Sequence, residues 1–137
     1  MGMKPSDVVE SHSAFGFAET VDRIDAEIAA RGLQVFARVD HAANAEAVSL
    51  DMPPTTVLVF GNARGGTPLM LKAPELALDL PLRVLVRQVV DGVVVSYHDP
   101  VAMLAGFGLT EADAAPLRAL PAIVQAATAA HARTQQS

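Results

Sequence analysis

The sequence predicts an α+β fold, a sheet of about five antiparallel strands in β-α-β4-α order with helices on one face. Three observations lead there. Phe17, Val21, Ile24 and Ile28 recur at helical spacing against a polar opposite face, which makes residues 17–31 an amphipathic helix. Two β-rich runs, 82–90 and 93–98, are joined by Asp91-Gly92, a pairing whose type I' twist suits an antiparallel hairpin. From Leu33 onward, strand-like runs lead to the hairpin with only short helical turns between them, so the helices are segregated from the strands and do not alternate with them.

Taken in order, residues 7–12 form a first short strand around Val8 and Val9. Gly16 then N-caps the amphipathic helix, Glu19 to Arg23 and Glu27 to Arg31 are i,i+4 pairs on its solvent face, and Gly32 closes it. From Leu33 the period becomes two, with Leu33, Val35, Ala37 and Val39 on one face and Gln34, Phe36, Arg38 and Asp40 on the other. Asp40 can N-cap a short Ala-rich helix over 42–48, and Pro53-Pro54 ends it. In 55–60 both phases are apolar, which predicts a central strand covered on both sides. Thr67-Pro68 has N-cap and N1 chemistry for a short helix over 69–73. After the hairpin, Asp99 can cap a helix from Pro100 to Ala105, and Thr110 with Asp113 resembles a capping box. Leu117, Leu120 and Val124 continue at helical spacing toward His131, with a break expected at Pro121. The whole chain, 1–137, reads as one domain with frayed ends at 1–5 and 132–137.

Composition removes several function classes. A net charge of -5 with only two Lys leaves no clustered cations for a nucleic-acid backbone. Residues 1–137 hold no membrane-length apolar run, and the N-terminal residues lack a signal-length apolar stretch, so a cytoplasmic protein without membrane contact is expected. Gly2 and Ser6 match the loose myristoylation pattern, a match short enough to arise by chance. The absence of cysteine excludes disulfide, thiolate and zinc-thiolate chemistry and fits a reducing compartment. Four scattered His, with no H-x-H or H-x-x-x-H spacing, predict no metal site, and no cofactor is indicated.

Several blocks together resemble the bacterial domain-of-unknown-function family 302. They are Ala30-Arg31-Gly32-Leu33, Val39-Asp40-His41-Ala42-Ala43, Phe60-Gly61-Asn62 through Gly66-Thr67-Pro68-Leu69-Met70, Pro81 to Val86, and Tyr97-His98-Asp99-Pro100. The resemblance implies a fold of the TATA-binding-protein-like class and small proteins that pair as dimers; it implies no activity. His98, where the family pattern has Asn, and Arg87-Gln88, where it has an aromatic residue and an acid, depart from it.

The candidate site is the turn 61–67, Gly-Asn-Ala-Arg-Gly-Gly-Thr, between a strand and a helix start. Free N–H groups at Gly65, Gly66 and Thr67, a guanidinium at Arg64 and an amide at Asn62 would suit a small anionic or polar ligand, with Tyr97 completing the pocket. The missing Lys excludes a nucleotide phosphate loop. Equally, the glycines could serve only the turn, leaving a structural or interaction module. An enzyme is the remaining alternative, with His41 or His98, each beside an Asp, as general acid or base, if they converge with Asn62. Arg38, Arg83 and Arg87, with Phe36, Leu85 and Val89, are expected on the sheet face that the helices leave open, where a homodimer would form.

Overall fold

A computed structural model describes residues 7–130. The expected fraying at both ends, the Gly2 pattern and His131 lie outside these residues. The strands are β1 (Val8–Ser13), β2 (Gln34–Asp40), β3 (Thr55–Gly61), β4 (Leu82–Val89) and β5 (Gly92–His98). They form one fully antiparallel sheet in the order β1-β5-β4-β3-β2. The helices are α1 (Phe17–Ala30), α2 (His41–Glu46), α3 (Ala63–Lys72), α4 (Pro100–Ala105) and α5 (Ala119–Thr128), with 3-10 segments at Pro74–Leu78 and Glu111–Leu117.

Strand alternation decides which side chains leave water. Thr56, Leu58 and Phe60 of β3 stand opposite Val86, Val84 and Leu82 of β4, and all six are buried. Ile24 and Ile28 of α1 and Leu120, Ile123 and Val124 of α5 close over them as one cluster. Each such aliphatic side chain contributes about 1.5–3 kcal/mol on leaving water. Arg23 fastens the two helices: its Nε donates to Ala127 O at 2.9 Å, and its guanidinium lies 3.9 Å from the centre of the Phe15 ring. This replaces the expected Glu19 pair, because capping the carbonyl end of α5 satisfies groups that the helix itself cannot. The Glu27–Arg31 pair does form.

Local geometry corrects the expected phases in four places. A bulge between Val35 and Ala37 turns β2 over, so that Val35 faces the core while Ala37 and Val39 face the open side. Arg38 consequently lies on the helix side, where its guanidinium donates to Asp25 of α1 at 2.6 Å, and does not join Arg83 and Arg87. Val57 and Val59 are only half-buried, so β3 is covered on one face, and β4 holds the centre of the sheet. Val89 pairs with Gly92, which places the hairpin turn at Val90-Asp91 and leaves Gly92 in the strand at a φ of 146°, a backbone state suited to glycine.

Helix ends were partly legible. Asp40 caps α2 by accepting from Ala43 N at 2.9 Å, whereas Asp99 makes no side-chain cap bond at α4. The last helix starts at Ala119 rather than breaking at Pro121, because a proline within the first turn removes an N–H that had no helical partner.

Phe60 is fully buried at the centre of this cluster. Phe60→Ala is therefore expected to lower the unfolding free energy by about 3–5 kcal/mol. Urea denaturation checks it, and a loss below about 1 kcal/mol would contradict the burial described.

Candidate functional site

The strand β3 ends at Gly61, and α3 begins immediately, at Ala63. The N-cap is Asn62, whose Oδ1 accepts from Gly65 N at 2.7 Å, and Gly66 N donates to Asn62 O at 3.1 Å. The expected N-cap at Thr67 is thus five residues late. Gly65, Gly66 and Thr67 are helical, and the N–H groups of Gly65 and Gly66, two of the expected anion donors, are already bonded to Asn62. An Asn cap of this kind stabilises a helix by about 0.5–2 kcal/mol relative to Ala.

Two glycines in a helix interior lower its intrinsic stability. What they provide here is closeness. A Cβ on Gly65 would sit 3.2 Å from Pro116 Cβ and 3.2 Å from Asn62 Oδ1, tighter than ordinary contact, so the 3-10 segment Glu111–Leu117 or the Asn62 cap would have to give by a few tenths of an ångström. Lys72 and Asp113 tie the same two elements, with Lys72 Nζ donating to Asp113 Oδ1 at 2.6 Å. Asp113 Oδ2 also accepts from Thr110 N at 2.9 Å and Thr110 Oγ1 at 3.1 Å, as the capping-box reading expected.

Between these elements lies a cleft of about 200 Å³. Asn62, Gly65, Gly66, Thr67 and Met70 form one wall, and Pro116, Leu117 and Ala119 face them. Leu80, Pro81 and Leu82 enter from the start of β4, while Leu33 and Phe36 close the edge; the β2 bulge brings Phe36 there, 47% exposed. The lining is mainly apolar. Among the described residues, the Asn62 amide nitrogen and the Thr67 hydroxyl have no hydrogen-bond partner in the protein.

The structure therefore gathers Asn62, Gly65, Gly66 and Thr67 at one cleft. Arg64 is exposed and does not line it. Tyr97 and His98 line a different hollow, of about 290 Å³, with Val57, Arg83, Leu85 and Ser96. Burial, and then the Asp99 carboxylate, raise the Tyr97 phenol above its usual value. His41 follows Asp40, which pairs with Thr56 at the far end of β3 from Asn62. Six residues of extended strand separate those ends by about 20 Å. His98 lies two strands away from β3 on the open face of the sheet. His41, His98 and Asn62 do not converge, so the general acid-base reading has no geometric support. No group of three or more His, Asp or Glu among the described residues could hold a metal ion. The apolar far wall, Pro116 to Ala119, was missed by sequence reasoning; its only signal was a proline beside an apolar run.

These features define a small α+β domain, a five-stranded antiparallel sheet with one helical layer and a cleft at the end of β3. The chain belongs to the family of the domain of unknown function DUF302, whose model matches residues 9–127. The crystal structure of an uncharacterized conserved DUF302 protein from Bacillus stearothermophilus superposes with a TM-score of 0.74 at 17% identity, covering 89% of this chain and 95% of that one. At that identity the likeness concerns the fold. Among curated proteins, the fluoride-specific ion channel FluC 1 of Brucella suis biovar 1 is 42% identical over 80 residues, which are 58% of this chain and 32% of the channel protein. FluC 2 of Brucella melitensis biotype 1 is also 42% identical over 80 residues, 30% of its length. The match thus spans about a third of each of these relatives.

The Asp113 carboxyl is held at about 2, below its ordinary 3.8, chiefly by the hydrogen bond from Lys72 and then by that from the Thr110 backbone. Because the folded value is the lower one, the stabilisation is present above the ordinary value and is lost as pH falls from there through about 2. An NMR titration should place the Asp113 midpoint near 2, and Lys72→Met should move it upward. An unmoved midpoint would show that Lys72 does not hold this contact in solution.

Proposed function

We propose that the cleft beside Asn62 holds a small ligand, apolar in body with one hydrogen-bonding group, and that the protein acts in the cytoplasm as a homodimer. The observation that carries the ligand reading is an apolar cleft with two polar groups at its exposed rim, the Asn62 amide nitrogen and the Thr67 hydroxyl, which form no hydrogen bond within the protein among the described residues and are free to turn to a ligand. A volume of about 200 Å³ is below that of drug-sized pockets and comparable with a cavity that admits benzene, so one or two rings or a short chain would fit. A neutral polar end suits this lining better than a full anion, since the Gly65 and Gly66 N–H groups are bonded within the helix and Arg64 lies outside the cleft. Absence of cysteine fits the reducing cytoplasm.

Fluoride conduction, named for the Brucella relatives, is not part of this proposal. The shared 80 residues are about a third of those proteins, and no helix among the described residues is long and apolar enough to cross a membrane.

The ligand reading is tested by thermal shift and NMR with indole, octanol, benzoate and inorganic phosphate as probes. Gly66→Ala is the informative variant: its Cβ would meet Leu80 Cδ1 at 3.6 Å and Met70 Cε at 3.9 Å, ordinary contacts inside the cleft wall. It should stabilise the helix by about 0.5–1 kcal/mol while weakening binding. Indole or octanol should shift resonances of the cleft residues in the wild type and do so less in Gly66→Ala. Response to phosphate alone, abolished by Arg64→Ala, would replace this reading with an anion site, and no response to any probe would remove it.

The dimer reading rests on the sheet face turned away from the core, where Val57, Val59 and Leu85 are half-buried and lie outside the cluster that the helices close over, flanked by Arg83 and by the Arg87–Glu10 pair at 3.3 Å. An antiparallel sheet with one apolar uncovered face gains by burying it against a second copy. Sedimentation at micromolar concentration should show a dimer that Leu85→Asp converts to monomer. A monomeric wild type would end the proposal.

A further inference from the structure

The connection from His41 to Pro54, between β2 and β3, contributes no buried residue. It nevertheless displays Val48 at 66%, Leu50 at 64% and Met52 at 41% exposure. This exposure is not a loose loop's. Asp40 caps α2, and beyond it Leu50 N donates to Ala45 O at 2.9 Å, with Ser49 in the left-handed region at a φ of 65°. That is the hydrogen-bond pattern of a Schellman closure, and it fixes the direction in which the chain leaves the helix.

Leu50 and Met52, with Phe17 of α1 and Pro54, line a hollow of about 400 Å³, and its charged lining is entirely acidic: Asp40, Glu46 and Asp51. Between Arg38 and Arg64 the sequence holds no Lys or Arg. Among the described residues Asp40, Glu46 and Asp51 form no ion pair, and the Asp40 bond to Ala43 N leaves its charge intact. The hollow thus combines the exposed Leu50 and Met52 and the half-buried Phe17 with an uncompensated negative rim. A symmetric contact between two copies through this surface would set acid against acid, so a second copy is a poor occupant.

We infer that this hollow docks a basic amphipathic segment of a partner protein. One or two apolar side chains of the partner fill the hollow against Leu50, Met52 and Phe17, and its Lys or Arg side chains lie over Asp40, Glu46 and Asp51. The mode is that of an amphipathic helix laid in a groove, in which apolar anchors supply affinity and charges at the rim set partner choice and on-rate. It is independent of the cleft at Asn62, with which it shares no lining residue.

The test is a titration of the isotope-labelled full chain, followed by backbone amide resonances, with a synthetic peptide of about four helical turns carrying Leu on one face and Lys on the other. Saturable shifts confined to residues 40–54 and Phe17 are expected. Affinity should fall by about tenfold in the Glu46→Gln, Asp51→Asn double variant, and by a similar factor in Leu50→Ser. All three positions are exposed, so the fold should be retained, and an unchanged melting temperature verifies that. Three controls decide the specificity: the peptide with Glu for Lys, the peptide with Ser for Leu, and spermine. Equal affinity for the Ser peptide or for spermine would reduce the site to unspecific cation attraction and overturn the inference. So would binding of the Glu peptide, or the absence of saturable shifts.

Discussion

Five strands meeting a single helical layer is the constraint from which the rest of this structure follows. Helices α1 and α5 cover one side of the sheet, and the residues that alternate toward them, among them Leu58, Phe60, Val84, Val86 and Val95, are fully buried. The other side receives no helix. There Val57, Val59 and Leu85 remain half-buried, in a chain whose apolar content is high for its size. The surplus is not distributed evenly, because period-two alternation must send every second residue outward whether or not anything is waiting for it.

The cleft arises from the same constraint at the sheet's end. Strand β3 delivers Gly61 to the edge of the core, and α3 has to turn back at once to cover Leu76 and Leu82. Asn62 makes that turn abrupt by capping the helix, and Gly65 lets it press against Pro116. The Lys72–Asp113 bridge then holds the two walls together at the far end of α3. The space is bounded by Asn62, the two glycines, Thr67 and Met70 on one wall and by Pro116 and Leu117 on the other, and the absence of side chains at Gly65 and Gly66 leaves part of it unfilled.

What was legible in the sequence divides along physical lines. Periodicity over many residues is a redundant signal, so α1 and the pairing of β4 with β5 were readable from Val21, Ile24 and Ile28 and from the Asp91-Gly92 neighbourhood. Single-residue events carry no such redundancy. The bulge at Phe36 leaves no compositional trace, yet it inverts the faces of β2 and sends Arg38 to Asp25. The hairpin turn shifted by one residue for a related reason: Gly92 can occupy either the turn or the strand, and the pairing of Val89 with Gly92 selects the strand. At the candidate site the N-cap was expected at Thr67 and is Asn62. Local propensity favoured Thr67, because it excluded two glycines from the helix. Tertiary packing against Pro116 decided for Asn62.

That single reassignment changes the chemistry more than its size suggests. With the helix starting at Thr67, the preceding glycines would have offered unbonded N–H groups to an anion. With it starting at Ala63, the same glycines become a smooth wall, their N–H groups are internal, and the polar character left at the cleft is that of Asn62 and Thr67 side chains. Charge on this molecule is consequently a matter of its other surfaces. The guanidinium of Arg64 lies outside the cleft, Arg83 and Arg87 belong to the open sheet face, and the uncompensated carboxylates of Glu46 and Asp51 flank the exposed Leu50 and Met52. An apolar cleft, an uncovered apolar sheet face flanked by the ion-paired Arg83 and Arg87, and an acidic-apolar hollow are three distinct surfaces on one small fold, each set by where alternation and capping leave apolar side chains uncovered.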